Sequence, residues 1–284
     1  QVLRDYQIDT INKFLKNPQS LQEIATGAGK TIITATLSMM CEPYGRTIVI
    51  VPNKSLVTQT EEDYVNLGLD VGVFFGDRKE FGHKHTICTW QSLNILEKNT
   101  KNGDISFTMQ DFIEDVNCIM IDEAHMAKAD VLKTLLTGPF ATVPIRWGLT
   151  GTIPKEDYEK ASLQASLGEV INTLSASELQ GKGVLANCHV NVIQTQETNA
   201  FSTYAGEQTF LVTNETRLQF IADLVDTMRA EGNTLILVDR IKTGQALEDI
   251  IVDSVFIQGR TKLEDREEEY DEIATEQHKV IIAT

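Results

Sequence analysis

Two short runs in this 284-residue chain have residue types and spacing that can do chemistry: Ala25-Thr26-Gly27-Ala28-Gly29-Lys30-Thr31 and Asp122-Glu123-Ala124-His125. Residues 21–26 are mostly apolar and read as a short strand, and the apolar run from Thr31 to Met40 reads as a helix. Strand, glycine turn and helix together form the setting in which loop N–H groups and a helix N-terminus hold a polyphosphate. Gly27 and Gly29 let the backbone curl around an anion with no Cβ in the way. Thr26, Gly27, Ala28 and Gly29 would form the cradle. Lys30 would reach the β- and γ-phosphates, and the Thr31 hydroxyl would bind Mg²⁺. The full pattern begins with Gly where this chain has Ile24. Taken alone, the loop can therefore also be read as an ordinary glycine turn.

Cys118, Ile119, Met120 and Ile121 make an apolar run of the kind buried in parallel sheets. Asp122 and Glu123 follow at its C-terminal end, where open α/β sheets bind ligands. Asp122 is the candidate Mg²⁺ ligand. Glu123 is the candidate base that orients and deprotonates an attacking water. The competing reading is a solvated acidic strand end. His125 lies too far along to be a metal ligand and reads as a hydrogen-bonding relay.

These residues need a scaffold, and the chain alternates strand and helix almost throughout. Apolar runs at 47–51, 71–75, 86–90, 119–121 and 146–149 predict strands of a parallel sheet covered by helices on both faces. A helix is expected from about Ser55 to Gly68. Another at 155–167 is expected to lead away from the first domain. Residues 188–194 alternate like a strand. A boundary near Ser175 separates a domain at 1–175 from a smaller α/β domain at 176–284. In the latter, Thr213 or Asn214 caps a helix with Leu218, Ile221, Ala222, Val225 and Met228 on its apolar face. Strands at 235–238, 255–257 and 280–283 and helices at 245–251 and 263–273 complete it. The fold class is α/β, with two parallel-sheet domains, the second incomplete.

Composition bounds the function. The length suits about two domains, and 42% hydrophobic residues suffice for packed cores. Cys41, Cys88, Cys118 and Cys188 are scattered without zinc spacing and read as reduced thiols of a cytoplasmic protein. His83 and His85 form either an H-x-H chelate or a loop leading into a strand. No apolar run is long enough to span a membrane. The net charge is −16, with much of the acidity in residues 264–272. A polyanionic partner would thus be held by loops, helix N-termini and backbone amides rather than by a basic surface.

The ordered motifs resemble the superfamily 2 helicases and translocases over essentially the whole chain. Leu3-Arg4-Asp5-Tyr6-Gln7 resembles the adenine-sensing glutamine motif, which implies ATP as the nucleotide with Gln7 as reader beside Arg4. The stretch Val51-Pro52-Asn53-Lys54-Ser55-Leu56 resembles motif Ia and Thr89-Trp90-Gln91-Ser92-Leu93 motif Ib. Leu149-Thr150-Gly151-Thr152 is similar to motif III and 236–240 to motif IV. Gly259 with Arg266 resembles the later Gly…Arg pattern, and Ile282-Ala283-Thr284 the opening of motif V. The resemblance implies two RecA-like domains flanking a cleft. Thr150 and Thr152 would couple phosphate state to domain motion. Pro52, Asn53, Lys54, Ser55, Gly76, Thr89, Gln91, Ser92, Arg240 and Thr284 would lie along a nucleic-acid backbone. Trp90 reads either as a base-stacking platform or as a core tryptophan. Within the superfamily the chain most resembles the phage UvsW type of branch-migrating DNA helicase. That implies DNA as partner, branched or single-stranded, a monomer, and the cytoplasm of a host cell. An RNA helicase, a non-catalytic binding module and a restriction-complex translocase are the alternatives.

The chain begins with Gln1 and stops on an apolar strand at Thr284, so it reads as cut at both ends, without the family's motif VI arginines. An arginine finger contributes about 10³–10⁵ in rate. The chain as given is therefore expected to bind ATP and turn it over slowly. A DNA-stimulated steady-state ATPase rate typical of an intact helicase, measured on these residues alone, would overturn that expectation.

Overall fold

The computed structural model describes residues 2–103, 106–126, 129–196, 199–258 and 279–284. They form two compact units, Gln1–Val190 and Asn191–Thr284.

The first unit is built on one sheet containing β1 (Gln19–Ile24), β2 (Arg46–Val51), β3 (Val71–Phe75), β4 (Arg78–Lys79), β5 (His85–Thr89), β6 (Val116–Ile121), β7 (Ile145–Thr150) and β8 (Val170–Leu174). Their order is β4-β3-β5-β2-β6-β7-β1-β8, and every pairing is parallel except the β3–β4 hairpin. The helices are α1 (Asp5–Lys16), α2 (Lys30–Cys41), α3 (Lys54–Asn66), α4 (Trp90–Asn102), α5 (Met109–Ile113), α6 (Ala129–Thr137), α7 (Asp157–Leu167) and α8 (Ala176–Gly181).

Period-two alternation explains why β2 is apolar along its length. Val49 and Val51 enter one core with Phe14, Ile33, Leu37 and Tyr64. Ile48 and Ile50 enter the other with Leu93, Phe112, Leu135 and Phe140. A parallel strand covered on both faces needs hydrophobic residues at every position, and each aliphatic side chain so buried stabilises the fold by about 1.5–3 kcal/mol.

Three expectations are corrected. The helix at 155–167 does not leave the first unit: α7 places Leu163 and Leu167 in the second of these cores. The division lies beyond Ser175, because β8 pairs with β1 and Leu179 of α8 packs into the first core. Residues 188–194 form no strand, and Val190 and Val192 are exposed. An alternating pattern makes a strand only where a sheet edge supplies ladder partners.

The second unit contains α9 (Tyr204–Thr213), α10 (Glu215–Met228), β9 (Thr234–Leu237), α11 (Ile241–Ile250), β10 (Ser254–Ile257) and β11 (Val280–Ala283). Its strands run parallel in the order β10-β11-β9. Asn214 caps α10 by accepting from the Arg217 N–H at 2.9 Å. Leu218, Ala222 and Val225 then meet Leu247, Val280 and Ile282 in the core. The helix expected at 263–273, with Gly259 and Arg266, lies outside the described residues.

One buried polar chain crosses the first core. The Tyr64 hydroxyl and Ser38 Oγ are 2.8 Å apart, Thr47 Oγ1 donates to Ser38 at 3.4 Å, and His85 stands between Thr47 (2.6 Å) and Glu42 (2.7 Å). His85 is thus the first residue of β5, engaged by its neighbours rather than paired with His83, which contacts Asp70. Burial lowers the His85 pKa below its ordinary value, opposed by Glu42. The fold therefore favours neutral imidazole. Its contribution to stability is complete above the unfolded-state pKa of about 6.5 and is lost as pH falls through that value toward the folded-state pKa. Between pH 7.5 and 5.5, the melting temperature of the wild type is expected to drop about 2–4 °C further than that of His85→Gln. Parallel melting curves of the two proteins would refute this.

Candidate nucleotide site and nucleic-acid face

The pairing of β7 with both β1 and β6 brings three strand ends side by side, with Glu23 opposite Thr150 and Ile121 opposite Gly148. The loop 25–29, the pair Asp122-Glu123 and the turn Thr150-Gly151-Thr152 leave the sheet at this edge.

The loop needs its glycines. Gly27 has φ +83° and Gly29 φ +80°, a left-handed conformation that β-carbons disfavour. A Cβ on Gly29 would lie 2.7 Å from Gln7 Nε2, and one on Gly27 would lie 2.6 Å from Leu185 Cδ2. The start of α1 braces the loop from behind. The Ala28 carbonyl accepts from the Tyr6 hydroxyl at 2.9 Å and from Gln7 Nε2 at 3.1 Å, while Gln7 Oε1 accepts from the Arg4 N–H at 2.9 Å. Beside the brace lies a cavity of about 300 Å³ lined by Arg4, Tyr6, Gln7, Gly27 and Gly29. Lys30 and Thr31 open α2, so the loop meets a helix N-terminus, where partial positive charge favours anions.

The Lys30 ammonium forms an ion pair with Glu123 Oε1 and lies 3.7 Å from Asp122 Oδ1. Asp122 continues the β-ladder through its N–H to Ile50 O at 2.9 Å. Its Oδ1 accepts from the Glu123 N–H at 2.9 Å, which stabilises a backbone turn with Glu123 at φ +48°. Such a conformation costs about 1–3 kcal/mol in a non-glycine residue. Burial raises the Asp122 pKa even though the Lys30 charge pulls it down. Glu123 Oε2 accepts from the Gly151 N–H at 3.3 Å and is 3.4 Å from His125 Nδ1. His125 Nδ1 is 2.6 Å from Thr150 Oγ1, whose hydroxyl donates to Thr152 O at 2.8 Å. The network thus assigns the proton to Nδ1. Thr26 Oγ1 approaches within 3.2 Å of where a Cβ on Gly151 would stand.

Lys30, Asp122, Glu123, His125, Thr150 and Thr152 are therefore brought into one network, with Thr26 to Thr31 beside it. Thr31 lines a neighbouring cavity with Asp63 and Asn66, and among the described residues no hydrogen bond joins its hydroxyl to Asp122. Among the described residues no cluster of three or more His, Cys, Asp or Glu side chains forms a metal site.

A second group lines the same sheet edge. Asn53 caps α3 by accepting from the Leu56 N–H at 3.0 Å, and Thr89 caps α4 by accepting from the Ser92 N–H at 3.3 Å. Pro52 O accepts from Gln91 Nε2 at 3.3 Å, and Thr89 and Ser92 hydroxyls are 2.9 Å apart. Ser55 lies in the first turn of α3. Lys54 Nζ stands 3.6 Å from where a Cβ on Gly76 would be. Trp90 packs on the core with its indole N–H unpartnered among the described residues. Arg240 and Thr284 belong to the second unit. There Arg240 donates to Gln208 at 2.6 Å, and the Thr284 N–H donates to Ile257 O at 3.4 Å.

Three contributors escaped the sequence reading. Tyr6 acts through its hydroxyl on the Ala28 carbonyl, a contact the glutamine motif does not announce. Gly151 acts through its N–H, which no side-chain argument reveals. Leu185 carries no local signal at all.

Parallel RecA-like sheets with this loop and acidic pair have the architecture of the superfamily 2 helicases and translocases. Residues 1–155 match the ResIII family, described as type III restriction enzyme, res subunit, and the chain belongs to that family. The ATP-dependent DNA helicase uvsW of Enterobacteria phage T4 is 24% identical over 264 residues, 87% of this chain and 50% of the relative. The DNA 3'-5' helicase XPB of Kineococcus radiotolerans is 23% identical over 281 residues, 95% of this chain and 48% of the relative. The chain thus spans about half the length of these curated relatives. The Pyrococcus furiosus Hef helicase domain shares the fold, with a TM-score of 0.64 at 14% identity, over 99% of this chain and 85% of that one. Among the described residues no helix is long and apolar enough to cross a membrane.

Lys30→Ala leaves two neighbouring carboxylates without their cation. It is expected to weaken nucleotide binding at least a hundredfold, as measured by titration calorimetry. Unchanged affinity would remove Lys30 from the phosphate site.

Proposed function

We propose that this chain is part of an ATP-dependent DNA helicase or translocase acting on branched or recombination intermediates. The observation that carries the reading is the convergence of Lys30, Asp122 and Glu123 at the carboxyl edge of a parallel sheet, beside a glycine loop that opens a helix. The loop N–H groups and Lys30 hold the triphosphate, and the cavity at Arg4 and Gln7 receives the adenine. Asp122 and Thr31 would ligate Mg²⁺, which would neutralise β- and γ-phosphate charge. Glu123 orients and deprotonates the attacking water once the γ-phosphate competes for Lys30. His125, Thr150 and Thr152 relay the phosphate state away from the site.

In this reading the first RecA-like domain is the unit Gln1–Val190 and Asn191–Thr284 forms part of a second, with Arg240 and Thr284 as its own candidate strand contacts. Pro52, Asn53, Lys54, Ser55, Gly76, Thr89, Gln91 and Ser92 seat the strand on the first. Such contacts carry position rather than sequence. The relatives favour DNA over RNA: uvsW and XPB are both named as DNA helicases.

Glu123→Gln keeps the shape of the site and removes the base. It is expected to lower ATP turnover about 10²–10⁴-fold with nucleotide and single-stranded DNA binding retained, in a protein extended through the rest of its second domain. Turnover equal to wild type would reduce the chain to a binding module. Equal stimulation by RNA and DNA would shift the reading to an RNA helicase.

A further inference from the structure

We propose that the cleft between the β3–β4 hairpin and α4 is a nucleobase pocket, in which one base of the bound strand is lifted out and stacked. The inference rests on the nucleic-acid reading above and extends it from the backbone to a base.

The cleft encloses about 470 Å³, within the usual range for small-molecule sites. Gly76 and Ser92, two of the residues assigned to the strand path, are on its wall, so the pocket is continuous with that path. Its interior is aromatic. Phe81 packs on Phe107 with ring centroids 4.0 Å apart, and Phe74 lies 6.0 Å from Phe81 and 5.0 Å from the buried Phe112. The row is thus anchored in the core and ends at the surface, where Phe81 stays 46% exposed and Ile95 on α4 is 58% exposed. Exposed apolar surface grouped at one concave place marks a binding site rather than ordinary scatter.

The polar groups suit a nucleotide. Asn99 and Lys79 line the same cleft, and among the described residues neither side chain has a hydrogen-bond or ion-pair partner. The Asn99 amide offers both donor and acceptor to a base edge, and the Lys79 ammonium complements a flanking phosphate. The hairpin that carries Lys79 is fixed to α3: Arg78 donates to both Glu61 oxygens at 2.8 and 2.7 Å. A preformed aromatic wall beside a backbone-binding surface is how sequence-tolerant single-strand sites gain affinity, because every base has a face to stack.

The test uses the full chain, fluorescence anisotropy, a short oligothymidylate, and a fully abasic oligomer of the same length. Phe81→Ala is expected to weaken oligothymidylate binding about tenfold and to leave the abasic oligomer unaffected, with Phe81→Tyr restoring affinity. Should Phe81→Ala fail to fold, Ile95→Gln at the exposed lip is expected to give the same selective loss. Wild-type affinity in the folded variant, or equal loss on both oligomers, overturns the pocket. If that result comes with weakened binding by Lys54→Ala, the backbone reading survives and only the pocket falls. If the wild-type chain binds neither oligomer, both are wrong.

Discussion

The site depends on one pairing constraint: β7 lies between β1 and β6 and hydrogen-bonds to both in parallel. That register brings a loop, an acidic turn and a threonine turn from distant parts of the sequence to one edge. The Lys30 ammonium then spans the sheet from the β1 loop to the β6 carboxylates, while the Gly151 amide reaches Glu123 from the strand between them. Removing the ladder would leave the three segments with no reason to meet. The two cores are the means by which the ladder is held. Alternate residues of β2 enter opposite cores, so packing on either face resists a slip of one residue, which would exchange the faces.

Charge is used sparingly in this molecule. A net charge of −16 leaves no general attraction for a polyanion, and the proposed strand seat consists of helix N-termini, hydroxyls and backbone groups with Lys54 as one of few cations. Bare N–H groups contribute direction and position without releasing as many condensed counterions as a basic patch would. A face of this kind suits a partner that must be let go repeatedly. Around Lys30 the balance differs: one ammonium faces two adjacent carboxylates and offsets only part of their charge.

Much of this was legible in the residues, for identifiable reasons. The strands of the first sheet that are covered on both faces, such as β2 and β6, announce themselves as continuous apolar runs. The loop glycines and the acidic pair are tied to strand ends by short-range pattern alone. What escaped depended on tertiary partners. Val170–Leu174 is partly polar and half-exposed, and becomes β8 only because the edge of β1 accepts it. Residues 188–194 have the alternation but no such edge. The helix α9 has little amphipathic signal and no fully buried residue, so its periodicity was silent. Tyr6 and Gly151 act through a carbonyl and an amide at a distance, and a sequence motif records neither.

The packing of Leu185 over Gly27 has a wider meaning. Five positions before the first unit ends at Val190, an aliphatic side chain lies against the Gly27 turn of the glycine loop. A change in this turn would therefore be felt first by the Leu185 side chain. The segment leading out of the unit thus packs directly on the glycine loop. A substitution at this leucine, far from every recognisable signature, would thus disturb the loop from behind.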